Sequence, residues 1–277
     1  MKSILFSLPL ASAGTVLWSG LFNEPLRWTI STTVYISFLL TSPTENPGIK
    51  KKKKQKKLTL KKGSWSNQIE PYQWYIHGSN TTSHYLGLSP DFKNPNSTLE
   101  HETQGIRITI DDTSSWNGQP MMRSELIPQT SKDLGSGKLF YHFSLQTREE
   151  NFPTADLEHQ IAFFESHFTE LKYGGASAGS LAWFAGGAAH WSTTLEAGTW
   201  YNFAYAIDFG ARTVGLYASL GADALQEVVA PVSASTSTNS ADWHVGELRL
   251  DNGPHGPAED WYWSGVYVES GAITTEV

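Results

Sequence analysis

From residue 64 onward, short runs rich in β-branched and aromatic residues alternate with clusters of Gly, Pro, Asn and Asp. This spacing is typical of sandwiches and barrels, and helical periodicity is almost absent. The clearest strands are predicted at residues 106–110, 139–145, 161–165, 200–209, 214–217, 248–250 and 261–268, with weaker ones at 122–127, 181–184 and 228–232. We therefore expect an all-β fold, a two-sheet antiparallel β-jelly-roll sandwich, and see no repeat that would favour a propeller or solenoid.

Residues 24–63 differ in composition from everything else in the chain. Residues 50–62 contain nine lysines and no acid, so only 11 of the 20 Lys and Arg residues remain to face all 27 Asp and Glu residues. That acidic remainder argues against a nucleic-acid partner, and the apolar stretch at 34–40 is too short to span a membrane. A disordered insertion or a translated intron would each explain the segment, which we exclude from the fold argument.

The N-terminal residues and two sequons indicate export. Residues 1–13 combine a basic start, a short apolar run and Ala11-Ser12-Ala13, the pattern of a secretory signal peptide. Asn80 and Asn96 each begin a glycosylation sequon, and the chain has no Cys for a disulfide, a thiolate metal site or a nucleophile. We expect a secreted, extracellular protein with one domain formed by residues 14–23 and 64–269, followed by a C-terminal tail at 270–277.

Strand periodicity places charged residues on common faces. In a regular strand at 121–127, Arg123 and Glu125 lie on one side, which would face a cleft or solvent. By the same period, His159, Glu165 and His167 are predicted to share a face in the next charged segment. Such a face suits the rim of a binding groove, and it also suits an edge strand half in water.

The chain is rich in aromatic residues, with 11 Trp, 11 Tyr and 13 Phe. Most of these rings are expected in the core, because they bury large apolar areas. Trp74, Tyr75, His77 and Trp116 are our candidates for substrate-binding side chains in a groove, since sugar C–H faces pack on exposed rings. That role requires solvent exposure, and burial would make them core residues.

Five ordered motifs resemble glycoside hydrolase family 131, whose members are fungal β-glucanases. They are Trp65-Ser66-Asn67-Gln68, Pro71-Tyr72-Gln73-Trp74-Tyr75-Ile76-His77-Gly78, Met122-Arg123-Ser124-Glu125-Leu126-Ile127-Pro128-Gln129, His159-Gln160 with Phe163-Phe164-Glu165-Ser166-His167-Phe168-Thr169-Glu170, and Ala241-Asp242-Trp243-His244. The resemblance covers residues 15–23 and 64–269. Residues 24–63 depart from the family pattern, which runs from the first strand almost directly into Trp65, and this puts the pairing of that strand in doubt.

The resemblance implies a jelly-roll catalytic domain with a substrate groove on one sheet. It implies action on β-1,3-, β-1,6- and β-1,4-linked glucans without a metal or organic cofactor, and it identifies Glu125, Glu165 and His244 as the motif residues of the site. The expected partner is a β-glucan polysaccharide or oligosaccharide, and we expect a monomer.

Glycosidic hydrolysis needs an acid and a second carboxylate that attacks or activates water. Arg123 beside Glu125 would favour the ionised form of the carboxyl, which suits a base or nucleophile, although a purely structural ion pair has the same sequence. The aromatic neighbours of Glu165 predict desolvation and a raised pKa, as in a general acid, although a solvated strand-end Glu has the same sequence. His244 would bind a substrate hydroxyl or transfer a proton, or it would serve only in packing and hydrogen bonding beside Trp243. The resemblance leans towards inversion.

Two other functions fit a jelly roll. A polysaccharide lyase would need several basic groove residues, of which the sequence outside residues 50–62 has few. A non-catalytic lectin needs only exposed rings. The histidines lack HxH and HExxH spacing, which argues against a metal site, and no nucleophile-elbow motif favours an esterase.

Overall fold

The computed structural model describes residues 14–22, 68–69, 71–115, 119–238, 242–250 and 256–277. This described part of the chain is all-β, as predicted, with one short helix, α1 (Thr82–Tyr85), and two 3-10 turns, Pro90–Phe92 and Gly175–Ser177. The strands are β1 (Thr15–Ser19), β2 (Gln68–Ile69), β3 (Tyr72–Ile76), β4 (Leu86–Ser89), β5 (Gly105–Ile110), β6 (Met121–Pro128), β7 (Lys138–Thr147), β8 (His159–Phe164), β9 (Thr169–Tyr173), β10 (Ser180–Ala185), β11 (Ala188–Thr194), β12 (Tyr201–Asp208), β13 (Thr213–Leu220), β14 (Gln226–Ser233), β15 (Trp243–Leu250) and β16 (Glu259–Ser270). Each strand predicted in the sequence analysis overlaps an observed one, whereas β1 to β4, β9 and β11 were not among the predicted strands.

The strands form two antiparallel sheets that pack face to face as a jelly-roll sandwich. Sheet I has the order β14-β13-β12-β7-β16-β5-β4, and β1 pairs with β16 beside this path. Sheet II has the order β11-β10-β9-β8-β15-β6-β3-β2. Strands distant in sequence are therefore neighbours, and the outer face of sheet II brings β3, β6, β8 and β15 together.

An aromatic core fills the space between the sheets. Trp243 of β15 is buried and its ring lies 5.0 Å from that of Tyr141, 6.1 Å from Phe143 and 6.3 Å from Trp18, between ring centroids. Edge-to-face contacts of this kind add about 0.5–1.5 kcal/mol each to the burial of apolar area. Because successive residues of a strand point to opposite faces, a core-facing Trp243 places His244 on the outer face of sheet II.

A β-bulge interrupts the alternation where β8 meets β15. Ala162 has a φ of 48°, and the pairing of the two strands shifts between His244 and Glu247. A bulge adds a residue to one strand and redirects the side chains that follow it. As a result Phe163 packs against His244 on the outer face, while Phe164 belongs to the core.

His159, which precedes the bulge, faces the core. It is fully buried, its Nε2 lies 2.6 Å from Oε2 of Glu259 on β16, and Nη1 of Arg249 lies 2.9 Å from the other oxygen of that carboxylate. These ion pairs join the two sheets across the sandwich. The prediction that His159, Glu165 and His167 share one face is therefore wrong, because the bulge reverses the alternation between His159 and Glu165.

The residues after β16 pack along sheet I. The backbone N–H and the hydroxyl of Thr274 donate to the Glu269 carboxylate at 2.6 and 2.8 Å, and the N–H of Leu225 donates to the Thr275 carbonyl at 2.8 Å. Glu269 also lies 3.0 Å from Nε2 of His142. Residues 271–277 are thus held on the face opposite to the outer face of sheet II.

We predict that Gly246→Ala destabilises the fold by about 3 kcal/mol, through left-handed backbone strain and overpacking. Gly246 has a φ of 146°, and a Cβ there would overlap the Ser124 carbonyl oxygen and the Glu125 Cα on β6. Gly187→Ala is the matched control, because Gly187 has a φ of 81° but nothing within 4 Å of the added Cβ. Urea unfolding of both variants should show a cost of only about 1 kcal/mol for the control, and equal losses would contradict the proposed close approach.

Candidate functional site

The candidate site lies on the outer face of sheet II, where four elements converge. β6 supplies Arg123 and Glu125, β15 supplies His244, β3 supplies Tyr75, and the turn after β8 supplies Glu165. Glu125 pairs across the strands with Tyr75 on one side and Gly246 on the other. Residues separated by 119 positions in sequence, Glu125 and His244, are therefore in direct contact.

Arg123 and Glu125 form a two-bond ion pair. Nε of Arg123 lies 2.7 Å from Oε1 of Glu125, and Nη2 lies 2.7 Å from Oε2. Such fork-to-fork pairs are strong and fix both side chains. Both side chains are enclosed, at 7% and 0% exposure, so the prediction that this charged side faces a cleft or solvent is wrong for Glu125.

His244 links the two glutamates. Its Nδ1 lies 2.6 Å from Oε2 of Glu125, and its Nε2 lies 3.0 Å from Oε2 of Glu165. A carboxylate only accepts hydrogen bonds, so a ring that bonds both carboxylates carries a proton on each nitrogen. Arg123 adds a weaker attraction, with Nη2 4.0 Å from Oε2 of Glu165.

Aromatic rings enclose the hydrogen-bonded side chains of Arg123, Glu125 and His244. Phe163 stacks on His244 at 4.6 Å with an interplanar angle of 5°, and His167 stacks on the other side of Phe163 at 5.2 Å and 3°. Tyr75 meets His244 edge-on at 5.7 Å, and the Arg123 guanidinium lies 4.3 Å above the Tyr75 ring. The rings remove water from Glu125 and His244 while leaving one side of the site open.

Glu125, His244 and Glu165, which we call the trio, shift one another's pKa values through their charges and hydrogen bonds. Burial alone would raise the pKa of Glu125, but the attraction of Arg123 and then of His244 outweighs it and holds the pKa below its usual value. Burial alone would lower the pKa of His244, but Glu125, by charge and by hydrogen bond, and then Glu165 raise it. Both shifts favour a carboxylate beside an imidazolium.

Glu165 is the open member of the trio, with 62% of its side chain exposed. Its backbone N–H donates to the Asp242 carbonyl at 3.0 Å, which fixes the turn after β8 to the start of β15. The hydrogen bond from His244 lowers the pKa of Glu165, and burial opposes this less strongly. The prediction of a raised pKa is wrong, because the flanking Phe164 and Phe168 point into the core instead of desolvating the carboxyl.

The predicted groove residues do not all lie on the same face of the sheet. Trp74 belongs to the core and is 6% exposed, so its prediction as a groove residue is wrong. Tyr75, its neighbour, faces the site but is buried, with the Arg123 guanidinium over its ring, so the prediction that it offers an exposed ring to a sugar is wrong as well. His77 is partly exposed, with its ring 4.3 Å from that of Tyr75, and Trp116 lies outside the described residues.

Phe163 and Glu170 are site neighbours that the sequence analysis did not place in the groove, and His167, predicted on the face of a groove rim, also lies beside the site. Nδ1 of His167 lies 2.9 Å from Oε2 of Glu170, a largely buried carboxylate that also lies 3.6 Å from Nζ of Lys172. The adjacent residues Phe163 and Phe164 were the sequence feature that indicated an aromatic side chain at the site. Because neighbouring residues of a strand face opposite sides, one of the two rings must lie on the outer face of the sheet.

The other predicted sites lie away from this trio. Asn80 is exposed and Asn96 is partly exposed, and their glycosylation and the export of the chain remain predictions. In the described ranges, no group of three His, Cys, Asp or Glu side chains is arranged to hold a metal ion. Nor does any helix within those ranges have the length and apolarity needed to cross a bilayer. Residues 1–13 and 24–63, to which the signal peptide and the insertion were assigned, lie outside the described part of the chain.

Comparisons with known proteins agree on one family. Residues 52–274 match the model of the glycoside hydrolase 131 catalytic N-terminal domain. The solved catalytic domain of a glycoside hydrolase family 131 protein from Coprinopsis cinerea is 56% identical, covers 78% of this chain and 89% of its own, and has a TM-score of 0.73. A family 131 β-glucanase catalytic domain from Podospora anserina is 54% identical over 78% of this chain and 91% of its own, with a TM-score of 0.72. No curated protein sequence matches the chain.

We predict that Glu125→Gln lowers the free energy of unfolding by about 3 kcal/mol at neutral pH, because it leaves buried Arg123 without its counter-charge. Glu165→Gln, at an exposed position, should cost less than about 1 kcal/mol. The lowered pKa of Glu125 means that its contribution is present above the ordinary value of 4.5 and disappears as pH falls through the folded-state pKa. Urea titrations from neutral to acidic pH test this, and equal costs for the two variants at neutral pH would contradict it.

Proposed function

Because this chain belongs to glycoside hydrolase family 131, we propose that it hydrolyses β-glucans, at β-1,3, β-1,6 and β-1,4 linkages. The Podospora anserina β-glucanase, at 54% identity, supports this substrate class. The observation that carries the proposal is the single ring of His244, bonded by a buried Glu125 and an exposed Glu165 on an open sheet face.

The two glutamates act differently because their burial differs. Glu165 is the carboxylate that a glycosidic linkage can reach, and its lowered pKa keeps it ionised, as a base that activates water must be. Glu125 is fully enclosed and acts through His244, whose raised pKa keeps a proton available for the leaving oxygen. The Glu125–His244 pair thus supplies the acid and Glu165 the base.

In the proposed reaction, water attacks the anomeric carbon and loses a proton to Glu165. The bond from that carbon to the glycosidic oxygen breaks, and the oxygen takes the proton from Nε2 of His244. Substrate entry first replaces the 3.0 Å bond between His244 and Glu165, and the exposed Glu165 side chain is the partner able to move. After product release that bond re-forms and returns the proton from Glu165 to His244.

Inversion follows from the proposed roles, because Glu165 activates water instead of attacking the anomeric carbon. Glu125 and Glu165 bond opposite nitrogens of one imidazole, so the ring and two hydrogen bonds separate them. Since Glu125 is fully enclosed, it cannot serve as a nucleophile at that carbon. One-step displacement by water is the corresponding mechanism.

Arg123 fits a positioning role better than the substrate-binding role predicted from sequence. Its guanidinium is 7% exposed, makes two bonds to Glu125 and lies on the Tyr75 ring. A cation neutralised in this way is a poor partner for a uronate, which argues against a lyase. Arg123 instead keeps Glu125 ionised next to His244.

We predict that Glu165→Gln and Glu125→Gln each lower kcat on laminarin, pustulan or cello-oligosaccharides at least about 100-fold, the usual contribution of general acid–base catalysis. Glu227→Gln, an exposed glutamate on β14 of sheet I, is the matched control and should stay within about twofold of wild type. NMR of the wild-type reaction should show the α-anomer first.

A β-anomer as first product would contradict inversion, and full activity of both variants would contradict the assigned site. An unsaturated product would instead favour a lyase, and glucan binding by the wild-type protein without turnover would favour a lectin.

The pH profile of kcat/KM should be bell-shaped. Activity falls on the acid side as Glu165 is protonated, below its ordinary pKa of 4.5, and on the alkaline side as His244 loses its proton, above its ordinary 6.5. Replacing Glu125 by Gln removes the charge that raises the His244 pKa, so in this variant the alkaline limb should move to lower pH. An alkaline limb that does not move would contradict the proton-donor role of His244.

A further inference from the structure

A second concave region lies on the same outer face of sheet II, at the end opposite to β3. It is an open depression of about 620 Å³ on β10 and β11, beside the 3-10 turn Gly175–Ser177. Its lining includes Ser180, Ala182, Phe184, His190, Trp191 and Ser192. None of these side chains belongs to the trio of Glu125, His244 and Glu165.

The strand register connects the depression to the trio along one continuous line. Phe184 pairs across the strands with Glu170 on β9 and with Ala189 on β11. Glu170 in turn bonds His167, whose ring stacks on Phe163 next to His244. The path therefore crosses β8, β9, β10 and β11 perpendicular to the strands, and Phe184 lies two strands, roughly 10 Å, beyond β8.

Phe184 is placed on this outer face by the alternation of β10. Leu181, Trp183 and Ala185 point into the core, which leaves Ala182 and Phe184 on the other side. Phe184 is partly exposed, and Nζ of Lys172 lies 5.2 Å from its ring centroid. Small side chains around a ring leave room for a flat ligand, and the Ser hydroxyls offer hydrogen bonds. Lys172, at the edge of the depression, lies 2.9 Å from Glu158 and 3.6 Å from Glu170, and its ammonium has a third N–H for a ligand.

We propose that this depression is a distal subsite that binds sugar units of the β-glucan chain several residues away from the linkage being cleaved. The proposal rests on the proposed function and on the continuity of the two regions across one sheet face. Phe184 packs on the apolar C–H face of a glucosyl ring, and the surrounding hydroxyl and ammonium groups bind its hydroxyls. Remote binding of this kind favours long substrates, because only they reach both regions.

The test compares chain lengths. The wild-type protein and Phe184→Ala are assayed on β-gluco-oligosaccharides of increasing length and on the parent polysaccharide. Phe184→Ala should lower kcat/KM about 3- to 10-fold on the long substrates, as expected for loss of one ring contact, and leave the shortest cleaved oligosaccharide unchanged. Phe184→Tyr keeps the ring and should restore the wild-type length dependence.

Tyr217→Ala is the matched control, because Tyr217 is a partly exposed ring on β13 of sheet I, on the other side of the sandwich. It should change neither short- nor long-substrate activity, and thermal unfolding of all variants shows whether any loss reflects stability. An equal loss on short and long substrates, or no loss on any, would overturn the subsite while leaving the proposed function intact. Failure of the wild-type protein to hydrolyse any β-glucan would overturn the proposed function and the subsite together.

Discussion

The buried ion pair between Arg123 and Glu125 is the interaction on which the site depends. Removing a carboxylate and a guanidinium from water costs several kcal/mol per ion, and only close pairing with further hydrogen bonds offsets this. The two 2.7 Å bonds and the third from His244 satisfy the Glu125 carboxylate, while the rings of Tyr75 and Phe163 exclude water from the group. The outer face of sheet II thus behaves locally as a second, polar core, and His244 is held as firmly as a residue between the sheets.

Regular strand geometry made part of this site predictable. Arg123 and Glu125 are two residues apart in β6, an uninterrupted strand, so the period of two correctly predicted that they meet. The same rule failed in β8, because Ala162 adopts a φ of 48° and the pairing with β15 shifts register at that point. Nothing about an alanine in an apolar run signals a left-handed backbone, so the opposite orientations of His159 and Glu165 were not readable from the sequence.

Partners from distant strands account for the remaining differences. The immediate neighbours of Glu165 in sequence are aromatic and predicted a raised pKa, but its pKa is set mainly by His244, which β15 brings from 79 residues further along the chain. Trp74 and Tyr75 were treated alike, although adjacent residues of one strand point to opposite faces and only one of them can line a groove. The two-sheet fold follows from short-range patterns, whereas the electrostatics of the site follow from strand order, which those patterns do not specify.

Differences in burial within the trio divide the work of the site. A fully enclosed carboxylate cannot touch a polysaccharide, yet it can hold an imidazole in one orientation and stabilise its charge without competition from water. An exposed carboxylate on a turn can release that imidazole and approach a substrate, at the cost of a weaker and more screened interaction. In the proposed mechanism, Glu125 at 0% and Glu165 at 62% exposure therefore take tasks that two equally exposed glutamates would not separate. The ring of His244 hydrogen-bonds both carboxylates, so a change in its orientation affects the enclosed and the exposed half of the site together.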